Sequence, residues 1–255
     1  IGQRGIIQRD SVPVDELPDH VIKAVLATED RRFFNHFGID FLGLARALTE
    51  NVRANSVVQG GSTLTQQLAK NLFLSPDRTV GRKVQEVLLA LWLEHEHSKD
   101  QILTIYLNRA YLGGGAYGAE AAAQRYFGKS AANLSPAEGA MIAGLLTAPS
   151  TLAPTANLER SQNRARVVVR LMKEQGYLSE TDAAVALANP AELSEAAERR
   201  AGGYFADWVM ASGPEFLTRD TTEDVIIRTT LDQRIQRAAE EAMRKVFAEK
   251  VSEGS

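Results

Sequence analysis

The sequence predicts a mainly α-helical domain with a short β-containing segment toward its C-terminal end. Apolar residues recur at spacings of three and four through most of the chain up to about residue 190, which is the signature of helices that each bury one face. These stripes open at Ser or Asp and stop at Gly or Pro, where helix ends are expected. Only Val225-Ile226-Ile227-Arg228-Thr229-Thr230 has the β-branched texture of a strand.

In chain order, the first helix spans 18–30: Val21, Ile22, Val25 and Leu26 share a face, and Asp19 sits where a helix N-terminus favours an anion. Its C-terminal end is the acidic pair Glu29-Asp30. Phe33, Phe34, Phe37, Phe41, Leu42 and Leu44 follow, interrupted by Gly38, in a stretch expected to supply core. A polar loop then leads to Gly60-Gly61 and a Ser/Thr/Gln segment running into 68–74, where glycine permits close backbone approach.

Past Pro76 a long helix is predicted over 79–95, with Val84, Val87, Leu88, Leu91 and Trp92 as its apolar stripe. Ser98 and Gln101 form a capping-box pair that opens the next helix, which ends before Gly113-Gly114-Gly115. The run Ser135-Pro136-Ala137-Glu138 opens another by the same logic. Helices over 158–175 and 179–188 are stopped by Gly176 and Pro190. Beyond the β-rich segment a helical pattern runs from 232 to about 250. This change of texture predicts a domain over 1–200 and, over 201–255, a linker and the start of a further region.

Composition narrows the function. The 255 residues carry a net charge of -3, so no long-range field gathers nucleic acid, and an anionic ligand must be held by a local cluster of Lys and Arg. The absence of Cys excludes disulfides and thiolate metal sites. The four histidines make no metal site by spacing: His95 and His97 are two apart and diverge on a helix, while His20 and His36 stand alone. No run of about 20 apolar residues is present, so any membrane anchor lies outside these residues. The segment Gly60-Gly61-Ser62-Thr63 lacks the arrangement of a phosphate-binding nucleotide loop.

Four blocks carry the chemistry: 29–38 (EDRRFFNHFG), 60–71 (GGSTLTQQLAKN), 82–86 (RKVQE) and 99–108 (KDQILTIYLN). Taken alone, Glu29-Asp30 reads as a solvated helix end, although an acidic pair there opposes the helix dipole. Arg82 and Glu86 alone read as an ordinary i,i+4 surface pair, and the Ser/Thr/Gln segment as a polar turn. In register, however, the four blocks resemble the signature of the family 51 peptidoglycan glycosyltransferases, the glycosyltransferase modules of class A penicillin-binding proteins. The segment 143–150 (AGLLTAPS) resembles a fifth family block. It departs from the common form where Leu152-Ala153-Pro154 replaces Tyr-Asn-Pro.

The resemblance implies a lysozyme-like, two-lobed helical fold and the polymerisation of lipid II into β-1,4-linked glycan, with inversion and release of undecaprenyl pyrophosphate. That reaction needs a carboxylate base for a sugar hydroxyl and a cationic clamp for the departing pyrophosphate. The resemblance implies Glu29 as general base and Glu86 as the second functional carboxylate. It implies Lys70, Arg78, Arg82 and Lys83 at the donor phosphates, and Asp30, Arg46, Ser62, Thr63, Gln66 and Gln67 as further substrate contacts. It leaves room for a divalent cation, Mg or Mn, near Glu86, with no organic cofactor. It further implies a single-pass anchor upstream, a place on the periplasmic face of the cytoplasmic membrane, partners among cell-wall synthesis proteins, and exposure of some Phe residues to the bilayer. No S-x-x-K occurs, so these residues hold no penicillin-binding serine. Two other readings compete: a lytic enzyme cleaving finished glycan, which would need no cationic cluster, and a silent scaffold, which would not keep both Glu29 and Glu86.

Overall fold

A computed structural model describes residues 12–54, 61–74 and 79–198, together with isolated positions between 232 and 246. By contacts the chain divides into Ile1–Ala206 and Asp207–Ser255. Among the described residues of the first unit there are helices and 3-10 turns and, in place of a sheet, two isolated bridges, Phe37 to Ile39 and Tyr111 to Tyr117.

The centre is a three-helix core. Helix α1 (Asp19–Glu29) packs against α7 (Pro136–Leu145) and α9 (Leu158–Glu174). Helix α7 is apolar nearly all round and buries Ala137, Gly139, Ala140, Met141, Ile142, Ala143, Gly144 and Leu145, as befits a helix enclosed on every side. Small residues let the backbones approach: a Cβ on Gly139 would lie 3.4 Å from Val21 Cα of α1. Helix α9 turns Ala165, Val168, Val169 and Met172 inward, and at its C-terminal end the Gln175 amide donates to Ala27 O of α1 at 3.1 Å.

Around this core stand α2 (Phe41–Ala54), α3 (Leu64–Phe73), α4 (Val80–Glu96), α5 (Lys99–Arg109) and α6 (Ala119–Phe127). The short α8 (Pro149–Leu152), then α10 (Glu180–Ala188) and α11 (Glu195–Glu198) complete the unit. The expected capping boxes are present at Ser98/Gln101 and Ser135/Glu138. Helix α5 also anchors the entering chain, because the Asn108 side chain exchanges hydrogen bonds with the Val12 backbone at 2.9 and 2.8 Å. The turn from α5 to α6 requires glycine. Gly118, at φ 87, would drive a Cβ to 2.7 Å from Asn108 O, and Gly113, at φ 82, to 2.3 Å from Pro149 O.

Three expectations are revised. Helix α6 was not anticipated, since its Ala-Glu-Ala-Ala-Ala run has no periodic large apolar residues; it is held by buried Ala121, Ala122, Ala123, Tyr126 and Phe127. The apolar stripe of α4 faces outward in part, with Val87 and Leu91 half-buried. Val84, Leu88 and Trp92 are about half exposed or more, while Glu86, Ala90, Leu93 and Glu94 are buried. The Phe-rich stretch divides in the same way: Phe33 is core, but Phe34, Phe37, Phe41, Leu42 and Leu44 are exposed.

In the second unit, Arg234, Ile235, Ala238, Ala239, Ala242 and Val246 are helical, within the predicted 232–250 pattern. The expected strand at 225–230 and the boundary near residue 200 lie outside the described residues.

Candidate active site

Glu29 is the last residue of α1 and Asp30 its C-cap, so the two carboxyl groups leave the helix in different directions. Asp30 is tied down. Its carboxylate accepts from His36 Nε2 at 2.9 Å and from the Leu64 backbone N–H at 3.0 Å. The second contact joins the end of α1 to the first turn of α3, whose unpaired amides and dipole favour an anion. Asp30 thus fixes its neighbour in space rather than facing outward.

Glu29 itself is partly buried, and the loss of solvent around its carboxyl raises its pKa above the ordinary carboxylate value. A hydrogen bond from Gln67 Nε2 to Glu29 Oε2, 2.8 Å, pulls the other way, as do the positive charges of Arg164 and Lys70, while Asp30 adds to the rise. Gln67 Oε1 in turn accepts from the Tyr106 hydroxyl at 3.2 Å. One carboxyl group is therefore less acidic than usual but still partnered by donors, the condition a general base needs near neutral pH.

Helix α3 supplies much of this arrangement because of how it starts. Thr63 is its N-cap, with a reciprocal capping box to Gln66, and the Thr63 hydroxyl also donates to Gly38 O at 2.7 Å. Both side chains are buried, so Thr63 and Gln66, expected as substrate contacts, serve to seat α3. Further along the helix, the Thr65 hydroxyl donates to Glu94 Oε1 at 2.6 Å, and Lys99 Nζ pairs with the same carboxylate at 2.7 Å. Lys99 also lies 4.3 Å over the Phe33 ring. The ion pair locks α3, α4 and α5 together beneath Gln67.

The second expected carboxylate, Glu86, is buried on α4 between Arg82 on one oxygen and Lys83 Nζ, 2.8 Å away, on the other. Lys83 Nζ also donates to Ser62 Oγ at 2.8 Å, bringing the α4 basic residues to the N-terminal end of α3. Lys70 stands exposed one turn beyond Gln67. Arg46 on α2 is influenced by Arg31, Asp40, Arg32 and Asp30, with burial and Arg31 lowering its pKa most. Arg78 lies outside the described residues.

Arg164 was not singled out from the sequence, where it is one of several arginines in α9. It reaches Glu29 electrostatically, donates from NH2 to Thr147 Oγ1 at 2.9 Å, and packs its Cγ where a Cβ on Gly144 would lie 3.0 Å away. The only sequence signal is a glycine opposite an arginine in the folded state, which no local pattern reveals. Arg164 Nε and Arg82 Nε are buried without hydrogen-bond acceptors among the described residues, and Arg32 Nε faces Asp40 Oδ1 at 3.6 Å, beyond hydrogen-bond reach. Such donors are rare in folded proteins unless another group supplies the oxygen. A concavity of about 450 Å³ bordered by Ile22, Leu26, Phe34 and Leu103 lies elsewhere and includes none of these residues.

The divalent cation expected near Glu86 does not fit this donor set. Arg82 and Lys83 occupy both of its oxygens, and among the described residues no three His, Asp or Glu side chains are grouped to hold a metal ion.

A helical enzyme domain with one poised carboxylate beside basic side chains is what these features define. Residues 3–173 match the family model described as Transglycosylase, and the chain belongs to that family, whose members are peptidoglycan glycosyltransferases. Similar proteins include penicillin-binding protein 1A of Aquifex aeolicus (strain VF5), 46% identical over 82% of this chain and 29% of that protein. Penicillin-binding protein 1A of Escherichia coli (strain K12) is 40% identical over 96% of this chain and 29% of its own length. Penicillin-binding protein 1F of Bacillus subtilis (strain 168) is 36% identical over 93% and 34%. The chain thus spans about a third of the length of these relatives. A crystal structure of penicillin-binding protein 1A from Haemophilus influenzae aligns at 28% identity with a TM-score of 0.46, over 85% of this chain and 23% of that one. Among the described residues no helix is long and apolar enough to cross a membrane.

Proposed function

We propose that this domain polymerises lipid II, with Glu29 as the general base. The acceptor sugar's 4-hydroxyl gives its proton to Glu29 as its oxygen attacks the donor's anomeric carbon. The bond from that carbon to the pyrophosphate breaks, and undecaprenyl pyrophosphate leaves. A single displacement inverts the anomeric centre and yields a β-1,4 link. The observation that carries this reading is the Glu29 carboxyl: partly buried, raised in pKa, and yet hydrogen-bonded and flanked by Lys70 and Arg164. Base catalysis of this kind contributes about 10²–10⁴-fold.

The leaving group needs positive charge. Arg82 and Lys83 are held in place by Glu86, and the half-exposed Lys83 ammonium presents positive charge for a phosphate oxygen. Glu86 here orients the cationic side chains, and Lys70 extends the positive charge toward Glu29; Arg78 and Arg46 are assigned to the same substrate by the family resemblance. The exposed apolar residues Phe37, Phe41, Leu42, Leu44, Val84, Leu88 and Trp92 favour a domain resting on the outer face of the cytoplasmic membrane, where its lipid-linked substrate resides. An upstream anchor, cell-wall synthesis partners and a division into a catalytic domain over 1–200 and a linker over 201–255 belong to the same proposal.

The test is turnover of lipid II by the protein and by Glu29→Gln, with finished glycan strands as a parallel substrate. We expect polymer from lipid II, none from Glu29→Gln, and no cleavage of the strands. Cleavage of strands without polymerisation would replace this reading with the lytic one.

A further inference from the structure

We propose that Tyr106 is a positioning residue for this reaction: through the Gln67 amide its hydroxyl holds the Glu29 carboxyl in the orientation that receives the acceptor's proton. The inference rests on Glu29 being the base proposed above. Its basis is a two-link chain of hydrogen bonds across three helices, from Tyr106 Oη of α5 to Gln67 Oε1 of α3 at 3.2 Å, and from Gln67 Nε2 to Glu29 Oε2 of α1 at 2.8 Å.

A primary amide has a donor end and an acceptor end, and it can present either to a neighbour. While Glu29 is ionised, its own charge selects the donor end. Once Glu29 has taken the acceptor's proton that selection disappears, and an amide free to turn could present Oε1 and hold the protonated state. Tyr106 opposes this turn. Its hydroxyl donates to Oε1, and a turned amide would set an N–H against that proton and leave it without an acceptor. The N–H end is therefore favoured on Glu29 in both protonation states, and with it the return of the carboxylate before the next sugar is added. The hydroxyl keeps its proton, because burial first and Glu29 second raise its pKa well above the ordinary tyrosine value, and that proton is directed at Gln67 Oε1. Tyr106 is almost wholly buried, so a hydroxyl proton left there without an acceptor is costly.

The charged and titratable groups facing Glu29 are Asp30 at the end of its own helix, Lys70 on α3 and Arg164 on α9, with Tyr106 on α5. Of the hydrogen-bond donors in this surround, Gln67 is the one that lowers the Glu29 pKa most. Weakening its grip therefore raises the Glu29 pKa, and the acidic limb of activity moves to higher pH.

The experiment measures kcat and KM for lipid II across pH for Tyr106→Phe, Gln67→Leu, the double variant and Glu29→Gln. Tyr106→Phe is expected to lower kcat by roughly three- to tenfold, the effect of one neutral hydrogen bond. Its KM should stay within about twofold, and its acidic limb should move up by about half a pH unit. Gln67→Leu should shift the limb the same way and lower kcat further. Adding Tyr106→Phe to Gln67→Leu should change nothing more, since the link it acts through is gone. An acidic limb unchanged in Tyr106→Phe, or a double variant as poor as the product of the two singles, overturns the relay while a dead Glu29→Gln leaves the base assignment standing. Full turnover by Glu29→Gln would overturn both.

Discussion

Replacing Lys99 by Met tests whether the ion pair beneath the site holds it together. Lys99 Nζ is 2.7 Å from Glu94 Oε1, and the Glu94 side chain is only 2% exposed. Met keeps the apolar stem but leaves a buried carboxylate whose remaining partner among the described residues is the Thr65 hydroxyl, 2.6 Å away. Breaking one side of such a pair costs about 3–5 kcal/mol, to which the lost cation–π contact over Phe33 adds about 0.5–2 kcal/mol. For a domain of this size the pair alone corresponds to a fall of roughly 6–20 °C in the unfolding midpoint. The double variant Lys99→Met with Glu94→Gln should recover much of this, because the amide carbonyl still accepts from Thr65 and no charge is stranded. Calorimetry on the four proteins of this cycle supplies the coupling energy. A single Lys99→Met variant that melts within about 2 °C of the parent would refute the reasoning, since it would mean that solvent or another cation reaches Glu94 in the native state.

Three other outcomes are expected. Glu29→Gln should be inactive yet as stable as the parent or more so at neutral pH. The sign follows from the raised pKa: as pH climbs from the ordinary carboxylate value to the folded-state value, the unfolded chain releases the Glu29 proton first and the parent loses stability. The advantage of Glu29→Gln in thermal unfolding should therefore grow through that window and then level off. Arg164→Gln removes a charge that lowers the Glu29 pKa, so its pH–rate profile for lipid II turnover should show the acidic limb at higher pH, and an unmoved limb would count against that charge reaching Glu29. Gly113→Ala must fit a Cβ 2.3 Å from Pro149 O at positive φ; a loss of about 1–3 kcal/mol is expected in chemical unfolding, and retained stability would show that the 113–118 turn can relax.

The sequence by itself determined which stretches are helical and where most of them stop. Periodicity and capping chemistry are local, so Ser98 with Gln101 and Ser135 with Glu138 announce helix starts that the fold then shows. The four blocks likewise made the family legible, and with it Glu29, Gln67, Arg82 and Glu86. Local signals fail where a residue's meaning depends on a partner far along the chain. Thr63 and Gln66 look like ligand-binding polar groups, yet they cap α3 and tie it to Gly38. The α4 stripe looks like core, but its opposite face is buried because Glu86 and Glu94 find cations there. Helix α6 has too few large apolar residues to show periodicity, and it forms because alanines let it pack closely. What only the tertiary structure decided is the state of the Glu29 carboxyl, because desolvation, the Gln67 amide, and the charges of Arg164 and Lys70 reach it through space from α3 and α9 rather than along the chain.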